Sequence, residues 1–262
     1  MPKRLIEAIL NPQTLPDQSF KDDRRSRVVR VTIDGRAWVV KQYRGPVWKR
    51  WLEQLLRRTP AWREWRYGEK LRVSGVRAIQ PLALVHTRTG QALITPFIDA
   101  PSLHHWLKQS PAAGSRLALA RVIGEQIGRI IAAGLINRDH KASNLLIDAA
   151  CERGDAEPIL IDPARLKRRR GDATVWLMIA RLWRSARLAG PCSSRECLAV
   201  VRHVLRTNPT LLAGRHHRLK RAVRAIQDTD ARLQRLLEAA SASRARMCGS
   251  DPPDRIGDDP AR

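Results

Sequence analysis

The segment RVVRVTIDGRAWVVKQY, residues 27–43, constrains the fold more than any other stretch of this chain. Two runs rich in β-branched residues flank Asp34-Gly35, and Asp-Gly is a preferred dipeptide for a tight hairpin turn. The segment therefore predicts a β-hairpin. Lys41 lies near the end of its second strand.

A helix is predicted for residues 59–76, because Thr59 can cap its start and Ser74-Gly75 can end it. Glu64 shares one face of this helix with two smaller or apolar side chains. Residues 77–98 then predict two short strands around a turn at Thr89-Gly90. The first hundred residues or so thus predict a small sheet with one important helix.

The pattern after this sheet is helical. Residues 115–134 and 173–188 predict apolar helices, and a short strand between them ends at Asp162. Two or three further helices are expected before a tail rich in Pro, Gly and charge, which is expected to be disordered. The fold class is therefore α+β, with three expected segments: residues 1–98, 99–240 and 241–262.

Charge and cysteine usage narrow the functional classes. Lys and Arg total 49 against 25 Asp and Glu, and a net charge of +24 favours a polyanionic partner over a neutral one. A solvated arginine-rich face remains the alternative. No C-x-x-C pair or His pattern completes a zinc site, so the four cysteines are expected to be reduced thiols in a cytoplasmic protein. No apolar stretch approaches the roughly 18 residues that span a bilayer.

The segment NRDHKASN, residues 137–144, carries the residue types that phosphoryl transfer requires. Such a site needs a group that positions the attacking hydroxyl, oxygen ligands for Mg²⁺, and cations against the phosphates. Asp139 can orient and deprotonate a hydroxyl, and Asn144 with Asp162 can hold the metal. Lys41 can neutralise nucleotide phosphates.

These motifs resemble those of the protein-kinase-like superfamily. NRDHKASN is similar to the catalytic loop H-R-D-x-K-x-x-N, LIDPAR to the metal-binding D-F-G segment, and AWVVK to the strand with the phosphate-binding lysine. The resemblance implies that Glu64, in WREWR, is the partner of Lys41. It also implies a two-lobe kinase fold, with the small sheet in one lobe and the helices in the other.

Within that superfamily the chain resembles the lipopolysaccharide kinase (Kdo/WaaP) family over roughly residues 20–190, through GVRAIQPLAL and IARLWRSAR among other passages. The resemblance implies ATP- and Mg²⁺-dependent phosphorylation of a sugar hydroxyl on lipopolysaccharide core or a similar anionic glycolipid. The implied catalytic residues are Asp139 and Lys141, although Lys141 can also be a solvated side chain. The implied nucleotide-binding residues are Lys41, Glu64, Phe97 and Ile98, and the implied metal ligands are Asn144 and Asp162.

Three departures separate the chain from the kinase pattern. Asn137 replaces the usual His of the catalytic loop, and Pro163-Ala164 replaces Phe-Gly after the metal aspartate. The expected phosphate-binding loop falls near residues 21–27, which contain no glycine. Ser26 and the neighbouring arginines are candidates to replace the missing glycine backbone.

Two basic segments bear on the acceptor. The segment between Asp162 and the helix predicted from Ala173 is too short for a peptide platform, and its basic run RLKRRR, residues 165–170, suits an acidic sugar unless it is a solvated arginine run. The predicted helix 46–58 either places Trp48 and Trp51 at the cytoplasmic face of the inner membrane or packs them against the sheet. An atypical serine/threonine protein kinase and a non-catalytic kinase-like binding module remain alternatives. A nucleic-acid partner is unlikely, because charge alone supports it.

Overall fold

The computed structural model describes residues 6–7, 18–24, 26–44, 59–87, 90–169 and 171–208. Three predictions lie outside these residues: the helix 46–58, the helices expected beyond residue 208 and the disordered tail 241–262.

A five-stranded antiparallel sheet forms the amino-terminal part. Its strands are β1 (Gln18–Asp22), β2 (Ser26–Ile33), β3 (Arg36–Tyr43), β4 (Ala83–Thr87) and β5 (Gly90–Pro96), in the spatial order β1-β2-β3-β5-β4. The predicted hairpin is confirmed, because β2 pairs with β3 through Asp34-Gly35 and both turn residues have positive φ, 51° and 70°. Lys41 lies on the central strand, paired with Val28 on one side and Leu93 on the other.

The predicted helix beside the sheet is also confirmed, as α1 (Pro60–Val73). The Thr59 side chain caps it by accepting a hydrogen bond from the Trp62 amide at 3.1 Å, and Ser74 ends it. The buried face of α1 includes the carboxylate of Glu64 among small and apolar neighbours. Burying a carboxylate costs free energy unless the group is paired, so a cation is expected close by.

The second part is mostly helical and contains α2 (Leu103–Lys108), α3 (Ala113–Ala132), α4 (Ala149–Arg153), α5 (Asp172–Arg187) and α6 (Ser194–Thr207). The long helix α3 has a buried apolar face that packs closely against α6. A Cβ on Gly124 would lie 2.7 Å from the Val200 carbonyl oxygen, so the two helices meet where α3 has no side chain. The sheet with one helix, followed by helices, confirms the predicted α+β class.

Two pairs of very short strands fix the loops of this part. β6 (Leu135–Asn137) pairs with β9 (Leu166–Arg168), and β7 (Leu145–Leu146) pairs with β8 (Ile159–Leu160). The NRDHKASN loop runs between β6 and β7, and Asp162 lies between β8 and β9. The two strand pairs therefore bring the NRDHKASN loop and Asp162 close together.

No helix among the described residues combines the length and the apolar character needed to cross a membrane.

Candidate active site

Lys41 joins three distant parts of the chain. Its Nζ lies 2.8 Å from Oε2 of Glu64 and 2.8 Å from Oδ1 of Asp162, which are 23 and 121 residues away in sequence. The Lys41 side chain is 17% exposed and the Glu64 side chain 5% exposed. Strand β3, helix α1 and the turn after β8 thus meet at one ammonium group.

The charged groups of this cluster shift one another's pKa values. Burial acts to lower the pKa of Lys41, but the two carboxylates outweigh it, so this pKa lies above its ordinary value. Burial raises the pKa of Glu64, with a further rise from Asp162, and Lys41 only partly opposes the change. Lys41 is therefore a fixed cation at neutral pH, and Glu64 depends on it for a counter-charge.

Tyr43 is a fourth member of this cluster, and it was not predicted from the sequence. Its hydroxyl donates to the same Oε2 of Glu64 that receives Lys41, and the Lys41 ammonium lies 5.3 Å from the centre of its ring. Burial and the Glu64 charge raise the pKa of Tyr43 well above its ordinary value, so the hydroxyl stays a donor. The available signal was its spacing, since residues two apart in a strand lie on the same face.

The NRDHKASN loop is held by its own amide side chains. Asn137 is fully buried, and its Oδ1 accepts a hydrogen bond from the Asp139 amide at 3.0 Å. The Nδ2 of Asn144 donates to the Asp139 carbonyl at 2.9 Å. Both peptide groups of Asp139 are therefore fixed, and Asn137 supplies a loop contact at the position where kinase loops usually carry His.

Asp139 and Lys141 both point into a cavity between the two parts of the molecule. The Lys141 Nζ lies 3.3 Å from Oδ2 of Asp139, and both side chains are partly exposed. The carboxylate of Asp139 is thus accessible to a ligand in the cavity, with the Lys141 ammonium beside it.

Asp162 occupies an unusual backbone conformation, with φ 55° and ψ 58°. Left-handed conformations are rare for residues other than glycine, although Asp and Asn adopt them more readily than most. The Ile161 amide donates to the Asn144 carbonyl at 2.9 Å, so Asn144 and the turn at Asp162 are neighbours.

The oxygen atoms of Asn144 and Asp162 suit a magnesium ion. Asn144 uses its Nδ2 for the Asp139 carbonyl, which leaves its Oδ1 available, and Asp162 uses only Oδ1 for Lys41. No cluster of three or more His, Cys, Asp or Glu side chains with metal-binding geometry occurs in the described part of the chain. A two-residue oxygen set still fits Mg²⁺, because this ion keeps several waters and shares its shell with substrate phosphates.

Residues 21–24 and 26–27 of the glycine-free segment lie at the end of the β1–β2 hairpin. The Ser26 amide donates to Oδ1 of Asp23 at 2.7 Å, and the Asp23 amide donates to the Ser26 carbonyl at 3.0 Å. The Asp23 side chain therefore stabilises this turn, which contains no glycine. Lys21, Arg24 and Ser26 reach the cavity from this turn.

The cavity has a volume of about 1340 Å³ and a strongly positive wall. Eleven basic side chains line it, against two carboxylates, those of Asp139 and Asp162. Phe97 and Ile98 are not part of this wall. The ring of Phe97 stacks on Phe20 with centroids 6.2 Å apart, and the Arg30 guanidinium lies 4.4 Å from its centre.

Comparisons of sequence and fold relate the chain to known proteins. No curated protein matches the sequence. Among solved structures, a crystal structure of a kinase domain matches with 11% sequence identity and a TM-score of 0.49, over 68% of this chain and 64% of that domain. The model of the lipopolysaccharide kinase (Kdo/WaaP) family matches residues 17–202. That match covers the sheet, α1, the NRDHKASN loop, Asp162 and most of α6, and the chain therefore belongs to the lipopolysaccharide kinase (Kdo/WaaP) family.

Proposed function

We propose that the protein is an ATP-dependent kinase that phosphorylates a sugar hydroxyl of lipopolysaccharide core or a similar anionic glycolipid. The observation that carries this proposal is the position of Lys41. Its ammonium is held between Glu64 and Asp162 at the wall of a cavity into which Asp139 also points. Family membership supports the same class of reaction.

The amino-terminal part and the turn at Asp162 bind the nucleotide in this proposal. Lys41 contacts the phosphates, and Glu64 with Tyr43 fixes the direction of its side chain. Asn144 and Asp162 would hold Mg²⁺, which supplies positive charge against the nucleotide phosphates.

Asp139 receives the proton of the acceptor hydroxyl. The hydroxyl oxygen forms a bond to the γ-phosphorus of ATP while the bond from that phosphorus to the β-phosphate oxygen breaks, and ADP leaves. Lys141 lies beside Asp139 and neutralises charge on the transferred phosphoryl group. The side-chain amides of Asn137 and Asn144 keep the Asp139 backbone in place, so the carboxylate is presented from a fixed main chain.

The acceptor is proposed to be anionic because of the cavity wall. The segment after Asp162 is short, and Arg165, Lys167 and Arg168 line the cavity from it. The net charge of +24 acts in the same direction by attracting polyanions, and a glycolipid acceptor implies a peripheral contact with the cytoplasmic face of the membrane.

The test is an Asp139→Asn variant incubated with ATP labelled at the γ-phosphate and a lipopolysaccharide preparation. Loss of a general base typically costs about a hundredfold to ten-thousandfold in rate, and the fold should remain intact because Asp139 is partly exposed. The matched control is Asp155→Asn, which removes an exposed carboxylate paired with Arg153 outside the cavity wall.

Three outcomes would contradict the proposal. Undiminished transfer by Asp139→Asn would remove Asp139 from the reaction. Label that appears on added protein and not on lipopolysaccharide would indicate the protein-kinase alternative. Binding of Mg²⁺ and ATP by the wild-type protein without transfer to lipopolysaccharide would indicate a binding module.

A further inference from the structure

The cations of the cavity wall are not all neutralised by the protein. Four of the eleven form ion pairs with carboxylates: Lys21, Lys41, Arg44 and Lys141. The other seven have no carboxylate partner among the side chains that the structure describes. A wall of this kind has a net positive charge that a ligand can neutralise.

Four of the unpaired arginines come from three neighbouring elements. We refer to them as the arginine subsite: Arg63, Arg138, Arg165 and Arg168. Local structure brings them together, because Leu135 of β6 pairs with Arg168 of β9 and the Arg138 amide donates to the Arg165 carbonyl at 3.3 Å. Helix α1, which carries Arg63, packs against the turn Pro163–Arg165.

The loop that bears Arg138 is further fixed from α5. Arg181, another unpaired cation of the wall, donates a hydrogen bond from its guanidinium to the Arg138 carbonyl. The arginine subsite thus lies on a backbone held by strand pairing and by a side chain. Its four exposed side chains come from separate segments that the fold brings together, and not only from the 165–170 run that the sequence showed.

Grouping guanidinium ions without counter-charges is unfavourable, since like charges repel one another. The two carboxylates of the wall do not relieve this repulsion, because Asp162 is bound to Lys41 and Asp139 to Lys141. Arginine forks match the oxygens of phosphate and carboxylate groups and bind them through paired, charge-assisted hydrogen bonds.

We infer that the arginine subsite binds an oxyanion already present on the acceptor, a phosphate monoester or a carboxylate, distinct from the phosphoryl group that is transferred. This inference rests on the proposed function and specifies its substrate class. An acceptor bound by its own oxyanion beside Asp139 presents its hydroxyl in a fixed position, whereas a neutral sugar has no group for the subsite.

The first experiment measures binding of inorganic sulfate, which resembles phosphate in shape and charge and accepts no phosphoryl group. Sulfate is titrated into the wild-type protein at constant ionic strength, and into Arg165→Gln/Arg168→Gln and Arg63→Gln. The control is Arg153→Gln/Arg184→Gln, which removes the same charge as the double variant from exposed positions outside the cavity. All four arginines of the two double variants are exposed, so both proteins should fold.

The expected result is a loss of sulfate affinity of at least about tenfold, equivalent to about 1.4 kcal/mol, in the double subsite variant. Arg63→Gln should also weaken sulfate binding, and the control should change it less than about twofold, because long-range charge effects are screened at constant salt. Equal sulfate binding by wild type, subsite variants and control would overturn the inference. This measurement needs no turnover, so it tests the oxyanion site separately from the proposed function.

The second experiment determines whether the oxyanion belongs to the acceptor. With a lipopolysaccharide preparation as acceptor, the double subsite variant should raise the KM for acceptor at least about tenfold and leave the KM for ATP within about twofold. Sulfate should compete with acceptor in the wild-type enzyme. An increase in kcat by sulfate at unchanged acceptor KM would show a free oxyanion effector and would overturn the assignment to the acceptor.

Discussion

His140 lies between Asp139 and Lys141 in the NRDHKASN loop, yet its ring is completely buried. Neither ring nitrogen has a hydrogen-bond partner among the described residues. A His140→Leu variant keeps a side chain of similar size and removes both unpaired nitrogens. We expect this variant to be more stable than the wild type at neutral pH, because a buried polar atom without a partner costs about 1–3 kcal/mol.

The same variant should change the response to acid. Burial lowers the pKa of His140 from its ordinary value of 6.5 to about 4, so the folded protein keeps the ring neutral where the unfolded chain protonates it. The contribution to stability is therefore complete above about pH 6.5 and is lost as the pH falls toward 4. The gap between the two pKa values corresponds to about 3.5 kcal/mol, at roughly 1.4 kcal/mol per pH unit.

The assay is urea unfolding at a series of pH values between about 7.5 and 4.5, where the free energy of unfolding is compared between wild type and variant. The difference should grow by about 2.5 kcal/mol across this range in favour of His140→Leu. His86→Leu, which alters an exposed ring, is the control for the histidine-to-leucine change itself. An identical acid dependence in wild type and His140→Leu would refute the reasoning.

Three further predictions concern the Lys41 cluster and the α3–α6 contact. Tyr43→Phe removes one hydrogen bond to Glu64, so the KM for ATP should rise about fivefold, equivalent to about 1 kcal/mol. Burial raises the pKa of Glu64, so acid should protonate this carboxylate at a pH above the usual glutamate pKa of about 4.3. Protonation should weaken ATP binding in a pH titration. The Glu64→Gln variant should bind ATP weakly at every pH in the same titration. Gly124→Ala should lower the free energy of unfolding by about 1–3 kcal/mol in urea, because its Cβ would overlap Val200. Gly114→Ala, at an open position of the same helix, should not.

Local signals in the sequence predicted most of the amino-terminal part. The Asp34-Gly35 turn and the Thr59 cap act on residues next to them, so their physical effect can be inferred without the rest of the fold. Strand β1 was not predicted, because all five of its residues are exposed and it has no apolar alternation. It forms by pairing with β2, which is a tertiary effect.

The candidate site depends on long-range contacts that spacing cannot give. Lys41 and Asp162 are 121 positions apart, and no pattern in the sequence between them fixes their distance; only the family resemblance implied that they meet. The three-residue pairing of β6 with β9 is too short to produce a period, although it positions Arg168. The nucleotide-binding roles of Phe97 and Ile98 remain predictions, since neither lines the cavity.

Asp162 combines two demands that oppose each other. Its left-handed backbone costs a residue with a Cβ about 1–2 kcal/mol relative to glycine, while its carboxylate is the group that reaches Lys41. Laboratory evolution for heat resistance alone should therefore enrich glycine at this position. The selected proteins should be more stable and should lack the contact between Asp162 and Lys41. Homologues that carry glycine at this position are expected to keep the fold and to lack the carboxylate that reaches Lys41.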